Sequence, residues 1–138
     1  MQKLITRCGY RCDLCLAYRP NLEKNPSNGQ LLSDGWFKYF GFHISAVEIC
    51  CDGCLAEAAE LVDKSCPVRP CVIRHDLKNC SYCEVYKRGC AILVERLVDR
   101  EEVEHRMGAE IPPQDYQWIV RPYENKRRLG ALKSNKTE

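Results

Sequence analysis

The chain has 138 residues, which is enough for one domain and leaves no room for a second large one. Its formal net charge of +2 gives no global attraction to nucleic acids or membranes. Eleven cysteines dominate the composition, and the apolar fraction of 45% includes them. Because the supply of other apolar side chains is thin, we expect additional constraints to help hold the fold together.

The sequence also indicates a compartment. Residues 1–9 contain no apolar stretch of the length that a signal peptide needs, and no apolar run approaches the roughly 18 residues of a membrane span. We therefore expect a cytoplasmic protein, in which thiols stay reduced and cysteine clusters bind metal more often than they form disulfides. The odd number of cysteines agrees, since a pure disulfide framework would leave one thiol over.

The cysteines divide the chain, since all of them lie in residues 8–90. We expect one folded unit, with a cysteine-rich metal-binding body over 1–90 and a helical C-terminal extension over 91–138 packed on it. The basic end of the extension, from Arg121 onward, is expected to be frayed. The predicted fold class is a small, metal-stabilised, mainly α protein with a zinc-knuckle body.

The predicted elements begin with a tight loop over 8–19 that leads into a short helical turn. Apolar residues at i, i+4 spacing predict a short amphipathic helix over 30–40, weakened by Gly35. The apolar stretch 44–49 is ambiguous. A further helix is predicted over 68–78, with a proline tolerated in its first turn.

The C-terminal half has the clearest helical pattern. Residues 88–107 predict a continuous helix that carries an ion pair between Glu102 and Arg106 and ends at Gly108. A last helical region is expected to start at residues 112–113, and Pro122 should kink or break it. Its apolar stripe consists of Tyr116, Ile119, Val120 and Tyr123.

Cysteine spacing carries the functional argument. Three pairs with two intervening residues let the chain turn tightly and aim both thiolates at one ion, and Gly53 gives one of these turns its backbone freedom. We expect two zinc sites that contribute folding free energy. Cys50 is interpreted as a core thiol and not a ligand. The candidate metal ligands are Cys8, Cys12, Cys15, Cys51, Cys54, Cys66, Cys71, Cys80, Cys83 and Cys90.

The simplest partition of these thiols makes two groups. One joins Cys12 and Cys15 to Cys51 and Cys54, and the other consists of Cys71, Cys80, Cys83 and Cys90. Cys8 and Cys66 are then left over, and either one is able to replace a neighbour. His75 lies between two ligands of the second group, but the surplus of thiols favours an ordinary surface histidine there.

Zinc is not the only metal that suits these ligands. Thiolates also hold iron–sulfur clusters, which leaves such a cluster as the alternative cofactor. The spacing of Cys8, Cys12 and Cys15 is that of the radical S-adenosylmethionine motif, yet 138 residues are too few for the barrel that those enzymes need.

The order of the motifs resembles the prokaryotic family called domain of unknown function 3795. The resemblance covers residues 8–90 and implies a bacterial or archaeal cytoplasmic protein that binds metal; it implies no particular activity. This chain departs from the family where Gly89 stands in place of a usual proline, and where Cys50 is extra. The matching blocks are Cys8-Gly9 to Cys15, Cys51 to Cys54, Cys66 to Arg74, Cys80 to Cys83, and Cys90.

These observations favour a metal-binding interaction module, built on structural zinc, with a protein partner. One alternative is an iron–sulfur redox or electron-transfer protein. Another is an enzyme or metal carrier with an open thiolate site that uses Cys8, Cys50 or Cys66 as a mobile thiol. Basic residues after Arg121 make a nucleic-acid partner a less favoured alternative. We assign no catalytic residues, because no nucleophile and base stand in a recognisable frame.

Overall fold

The computed structural model describes residues 4–53, 55, 61, 66–84 and 90–136, and it is mainly helical, as the sequence predicts. The described residues contain no β-strand, only isolated bridges that join Ile5 to Arg11 and Tyr18 to Cys51. Within the same residues, no helix is long and apolar enough to cross a membrane. The α-helices are α1 (Arg19–Lys24), α2 (Asn28–Phe40), α3 (Val68–Arg74), α4 (Arg100–Met107), α5 (Pro113–Asp115) and α6 (Asn125–Lys136).

Helix α2 carries the first hydrophobic core, which confirms the amphipathic helix expected over 30–40. Its buried side chains include Leu32, Trp36 and Tyr39, and they pack with Ile119 and others of the C-terminal part. A Cβ atom on Gly35 would lie only 2.6 Å from a side-chain carbon of Ile119. The glycine therefore permits a close approach between α2 and the C-terminal segment.

A second hydrophobic core lies under the cysteine-rich part of the chain. Helix α3 is shorter than the predicted 68–78, because the chain turns at Asp76, whose φ is +54°. The buried members of this core are Cys8, Val68, Val72, Cys80, Leu93 and Leu129. Two of its members are thus cysteines, and a third member, Leu129, comes from the last helix.

The prediction of one continuous helix over 88–107 is wrong. Residues 85–89 lie outside the described residues; after them come a 3-10 turn at Val94–Arg96 and then α4. The break occurs at Asp99, whose backbone is extended and whose side chain accepts a hydrogen bond from the N–H of Glu101 as the helix cap. Gly108 ends α4 with φ +72°, as predicted.

The ion pair expected between Glu102 and Arg106 is replaced by other contacts. Glu102 instead accepts a hydrogen bond from the ammonium group of Lys126 at 3.0 Å. Arg106 donates to the backbone carbonyl of Tyr39. Both side chains therefore bind α4 to other elements, a use that spacing along one helix does not reveal.

The C-terminal segment breaks at Pro122, as predicted. Helix α5 continues as a π-helical turn, Tyr116–Val120, and a 3-10 turn, Arg121–Tyr123, before α6 begins. The tail expected to be frayed is helical here, because α6 is anchored: the side chain of Leu129 is fully buried. A Cβ atom on Gly9 would lie 2.7 Å from that leucine.

Asn125 joins the last helix to the cysteine-rich body. It is fully buried, and its amide nitrogen donates to the carbonyls of Cys8 and Arg96 at 2.8 and 2.9 Å. Its side-chain oxygen accepts from the N–H of Val98 at 2.7 Å. One side chain thus satisfies three backbone groups of two other segments, which fixes their relative position.

Candidate metal centre

Cys12, Cys15 and Cys51, here called the first thiol group, are brought together by backbone pairing. The N–H of Cys51 donates to the carbonyl of Ala17, and its carbonyl accepts from the N–H of Arg19, both at 2.8 Å. The turn after Cys51 passes close to the first loop, since a Cβ atom on Gly53 would lie 3.7 Å from the sulfur of Cys12. Cys54, the fourth cysteine predicted for this group, lies outside the described residues.

Two sulfurs of the first thiol group have hydrogen-bond partners. The N–H of Gly53, at φ +86°, donates to the sulfur of Cys51 at 3.4 Å. The hydroxyl of Tyr123 lies 2.9 Å from the sulfur of Cys15. Burial raises the pKa of the Cys15 thiol to about 11, and the charge of Cys51 adds to the shift, while hydrogen bonds from Tyr123 and from the backbone oppose it.

Two ion pairs hold the loops that carry this group. Arg11 binds the carboxylate of Asp13 through both nitrogens of a fork, at 2.8 and 2.6 Å. The Arg19 guanidinium binds Asp52 at 2.7 Å, which links the start of α1 to the loop after Cys51. The loops around the first thiol group are therefore fixed by side chains that lie beside the cysteines in the sequence.

Cys71, Cys80, Cys83 and Cys90, here called the second thiol group, line one small cavity. Its volume is about 30 Å³, and His75 and several apolar side chains complete the wall. Burial raises the pKa of the Cys80 thiol to about 12, and the negative charges of the neighbouring cysteines raise it further. The second group thus consists of thiols close enough to repel one another once they ionise.

Local hydrogen bonds position the second group. The N–H of Cys80 donates to the carbonyl of Arg7 at 2.9 Å, and the Arg7 guanidinium donates to the carbonyl of Leu77 at 3.0 Å. The side chain of Asn79 caps the turn that follows by accepting from the N–H of Ser81. Hydrogen bonds at Arg7 therefore connect the N-terminal segment to the second thiol group.

A larger cavity of about 580 Å³ lies beside the first thiol group. Aromatic side chains, among them those of Trp36 and Tyr123, form part of its wall, and charged side chains of the 95–106 segment form another part. Such a volume is in the range of small-molecule sites. The cysteines that line it are Cys8, Cys12, Cys15, Cys51 and Cys66.

The two cysteines left over by the sequence partition line the larger cavity and also pack in or against the second core. Cys8 is buried in the second core, and its sulfur is 3.9 Å from the hydroxyl of Thr6. Cys66 packs against the same core, and its charge raises the pKa of Cys80. Cys50, expected to be a core thiol, is half-buried.

The metal-ligand roles themselves stay predictions. Across the described ranges, no group of three or more Cys, His, Asp or Glu side chains is already arranged to hold a metal ion. His75 has a backbone partner, because its Nδ1 lies 2.8 Å from the carbonyl oxygen of Cys71. His43 packs edge-on against Phe37, and His105 is exposed in α4.

Sequence reasoning missed the partners of the sulfurs. Tyr123 entered the prediction as part of an apolar stripe, and no partner for a sulfur was predicted in the helix over 30–40 that contains Trp36. A usable signal exists, because buried Tyr and Trp side chains need a partner for their polar hydrogen atoms. In a chain with this many cysteines, a sulfur is a ready acceptor for such a group.

Comparison with known proteins places the chain in a family. The model of the family described as Protein of unknown function (DUF3795) matches residues 4–95. The chain belongs to this family, which confirms the resemblance seen in its cysteine motifs. No curated protein and no solved structure matches the chain.

Proposed function

We propose that this family member is a small cytoplasmic, prokaryotic metal-binding protein whose thiolates hold two structural zinc ions. The observation that carries the proposal is the cavity of about 30 Å³ that all four cysteines of the second thiol group line. That volume is about the share of one water molecule, so it suits a single ion. The chain would then gain folding free energy from the metal, which offsets its thin supply of apolar side chains.

The chemistry of the ligands favours zinc at the second thiol group. Four thiolates form the all-sulfur set that structural zinc sites use, with zinc–sulfur distances of about 2.3 Å. Ionised thiols that line one cavity are unfavourable in an apolar surrounding without a cation between them. A divalent ion bound there would remove this repulsion.

The first thiol group supports a second ion. Cys12, Cys15 and Cys51 all line the larger cavity of about 580 Å³, and Cys54 is close to Cys51 in the sequence. Backbone N–H groups that point at a cysteine sulfur, such as that of Gly53, suit a thiolate better than a thiol. We propose that these four cysteines are the ligands of the first site.

Elemental analysis and a visible spectrum of anaerobically purified protein test this proposal. We expect about two zinc ions per chain and no visible absorption. The proposal would be contradicted by fewer than two metal ions per chain in protein that has not been exposed to a chelator. The Cys50→Ser variant is the matched control, because it removes a cysteine that has no ligand role in the proposal and should keep the full metal content.

An iron–sulfur cluster at the first thiol group is the second candidate. The observation that favours it is the cavity of about 580 Å³, which has room for a cluster where a zinc site needs almost none. Cys8 lines this cavity with the first group and would be a further ligand. Iron with acid-labile sulfide, and visible absorption that dithionite bleaches, would establish this alternative and exclude zinc at the first site.

We further propose that the metal-loaded protein binds a protein partner. Large apolar side chains are exposed in the stretch 37–47: Phe37 is 61% and Val47 is 92% exposed. Site-specific cross-linking from position 47 should join the protein to one defined partner protein, and the Phe37→Ser variant should lose this adduct. Leu55→Ser, which also removes an exposed apolar side chain, is the control. Equal cross-linking in all variants would contradict a surface at 37–47.

A further inference from the structure

The hydroxyl of Tyr123 lies 2.9 Å from the sulfur of Cys15. Cys15 is partly buried against the apolar side chains of the first core. A neutral thiol is a weak acceptor, whereas a thiolate is a strong one that takes charge-assisted hydrogen bonds. A metal-bound thiolate at Cys15 would therefore be a stronger acceptor for the Tyr123 hydroxyl than the free thiol is.

The direction of the bond between Tyr123 and Cys15 follows from the proposed ligand role of Cys15. A metal-bound thiolate has no proton to donate, so the hydroxyl of Tyr123 is the donor. The rings of Tyr10, Trp36 and Phe40 lie 5.2, 6.2 and 6.1 Å from the Tyr123 ring and hold it in place. Since a buried hydroxyl proton needs an acceptor, this proton points at the sulfur of Cys15.

A thiolate with this one donor still carries a full charge against an apolar core. Hydrogen bonds alone seldom offset that desolvation, and a metal ion bound to the sulfur would do so. We infer that Tyr123 is a positioning residue, which donates a hydrogen bond to the metal-bound thiolate of Cys15 and is itself held by the rings of Tyr10, Trp36 and Phe40. This inference rests on the proposed metal site at the first thiol group and adds to it the residue that orients its ligand.

Cobalt-loaded protein tests the inference, because thiolate-to-cobalt charge-transfer bands report the electron density on the sulfur. Removal of the hydrogen bond in Tyr123→Phe should move part of these bands to longer wavelength. It should also make the loss of cobalt to a coloured chelator about 10-fold faster, as other losses of ligand-orienting bonds do. Tyr116→Phe is the matched control: it removes a hydroxyl from the same segment, but its partner is Glu124.

The outcomes distinguish a failure of this inference from a failure of the proposed function. If wild-type protein takes up no cobalt, both are overturned. If it takes up cobalt and Tyr123→Phe has the spectrum and release rate of Tyr116→Phe, the inference is overturned and the proposed function stands. If Tyr123→Phe fails to fold, wild-type protein loaded with the magnetically active cadmium isotope decides: spin coupling between the Tyr123 hydroxyl proton and cadmium supports the bond, and its absence overturns it.

Discussion

The two thiol groups differ in what surrounds their sulfurs. The second group lines a cavity of about 30 Å³, and burial, together with the charges of the neighbouring cysteines, raises the pKa of Cys80. The first group lines a cavity of about 580 Å³; the N–H of Gly53 donates to the sulfur of Cys51, and the hydroxyl of Tyr123 lies 2.9 Å from the sulfur of Cys15. The cavity at the second group has about the volume of one water molecule or small ion, whereas the cavity at the first group has room for a larger molecule.

Loss of a second-group ligand should therefore have the largest effect on stability. Structural zinc contributes on the order of 10 kcal/mol to folding in small domains. We expect Cys80→Ser to lose one ion per chain and most of the melting cooperativity, measured by elemental analysis and circular dichroism. Cys15→Ser should lose one ion but melt at a higher temperature than Cys80→Ser, because the first group lies against the larger apolar core.

Cys50→Ser is the control for both variants, since Cys50 is half-buried and outside both groups. It should keep its metal and its melting temperature. If Cys15→Ser is the less stable of the two ligand variants, the first group would be the structural site and the comparison would be reversed. If neither variant loses metal, the assignment of ligands is wrong.

Loss of the packing of α6 should have the next largest effect on stability. It tests whether apolar packing in the second core is independent of metal binding. Leu129 is fully buried with Cys8 and Cys80 in the second core. Leu129→Ala should lower the free energy of unfolding by about 2–5 kcal/mol while metal content stays unchanged. Leu31→Ala, at a leucine that is 45% exposed, should cost far less in the same denaturant titration.

Equal losses in the two leucine variants would mean that α6 does not bind the body as described. A loss of metal in Leu129→Ala would have another meaning, namely that the helix positions Cys8 or Cys80 as well as covering them. The measurement therefore shows whether the second core and the second thiol group are one unit.

The free energy of unfolding should also change when side-chain volume is added to α2 in the first core. Gly35→Ala places a Cβ atom within 2.6 Å of Ile119, whose side chain is buried and has little room to move. We expect a loss of about 1–3 kcal/mol in the free energy of unfolding. Gly130→Ala is the matched control in α6, with nothing within 4 Å, and should stabilise the protein by up to about 1 kcal/mol.

If both glycine variants are stabilised, α2 and the C-terminal segment do not approach as closely as described. In that case helix propensity would outweigh packing at Gly35. The sequence alone predicts that outcome, because the pattern treats Gly35 only as a weak point in a helix.

Local signals were predictable, and contacts between distant segments were not. Helix α2 follows from apolar spacing, and Gly108 and Pro122 end helices for reasons that lie in their own backbones. The break at Asp99 was missed, because the apolar pattern of 88–107 continues through it. Asn125, which satisfies three backbone groups far away in the sequence, has no local signature at all.

The candidate site divides in the same way. Spacing alone groups Cys71 with Cys80, Cys83 and Cys90, and the structure places these four around one cavity; their binding of metal stays a prediction. The role of Tyr123 depends on a contact across more than a hundred positions of the chain. Such a contact is fixed by how the C-terminal segment packs, so no motif near Cys15 predicts it.

The smallest effect concerns Tyr116, which shares a segment with Tyr123 but has a carboxylate as its partner. Burial raises the pKa of Tyr116, and the hydrogen bond to Glu124 raises it further, although Arg127 and Arg100 oppose the shift. A raised pKa means that the folded state favours the neutral phenol. The resulting stability is present below the ordinary tyrosine pKa of about 10 and is lost as pH rises through the folded value.

Denaturant titrations of wild-type protein and Tyr116→Phe from pH 8 upward measure this contribution. The wild type should be the more stable at pH 8, and the difference should shrink as the phenol ionises above about pH 10. We expect any bound metal to be retained in this range, because alkaline pH favours thiolates. A difference that is constant with pH would mean that Glu124 does not hold the phenol, and Tyr116 would then contribute through the packing of its ring against Arg100, 4.2 Å away.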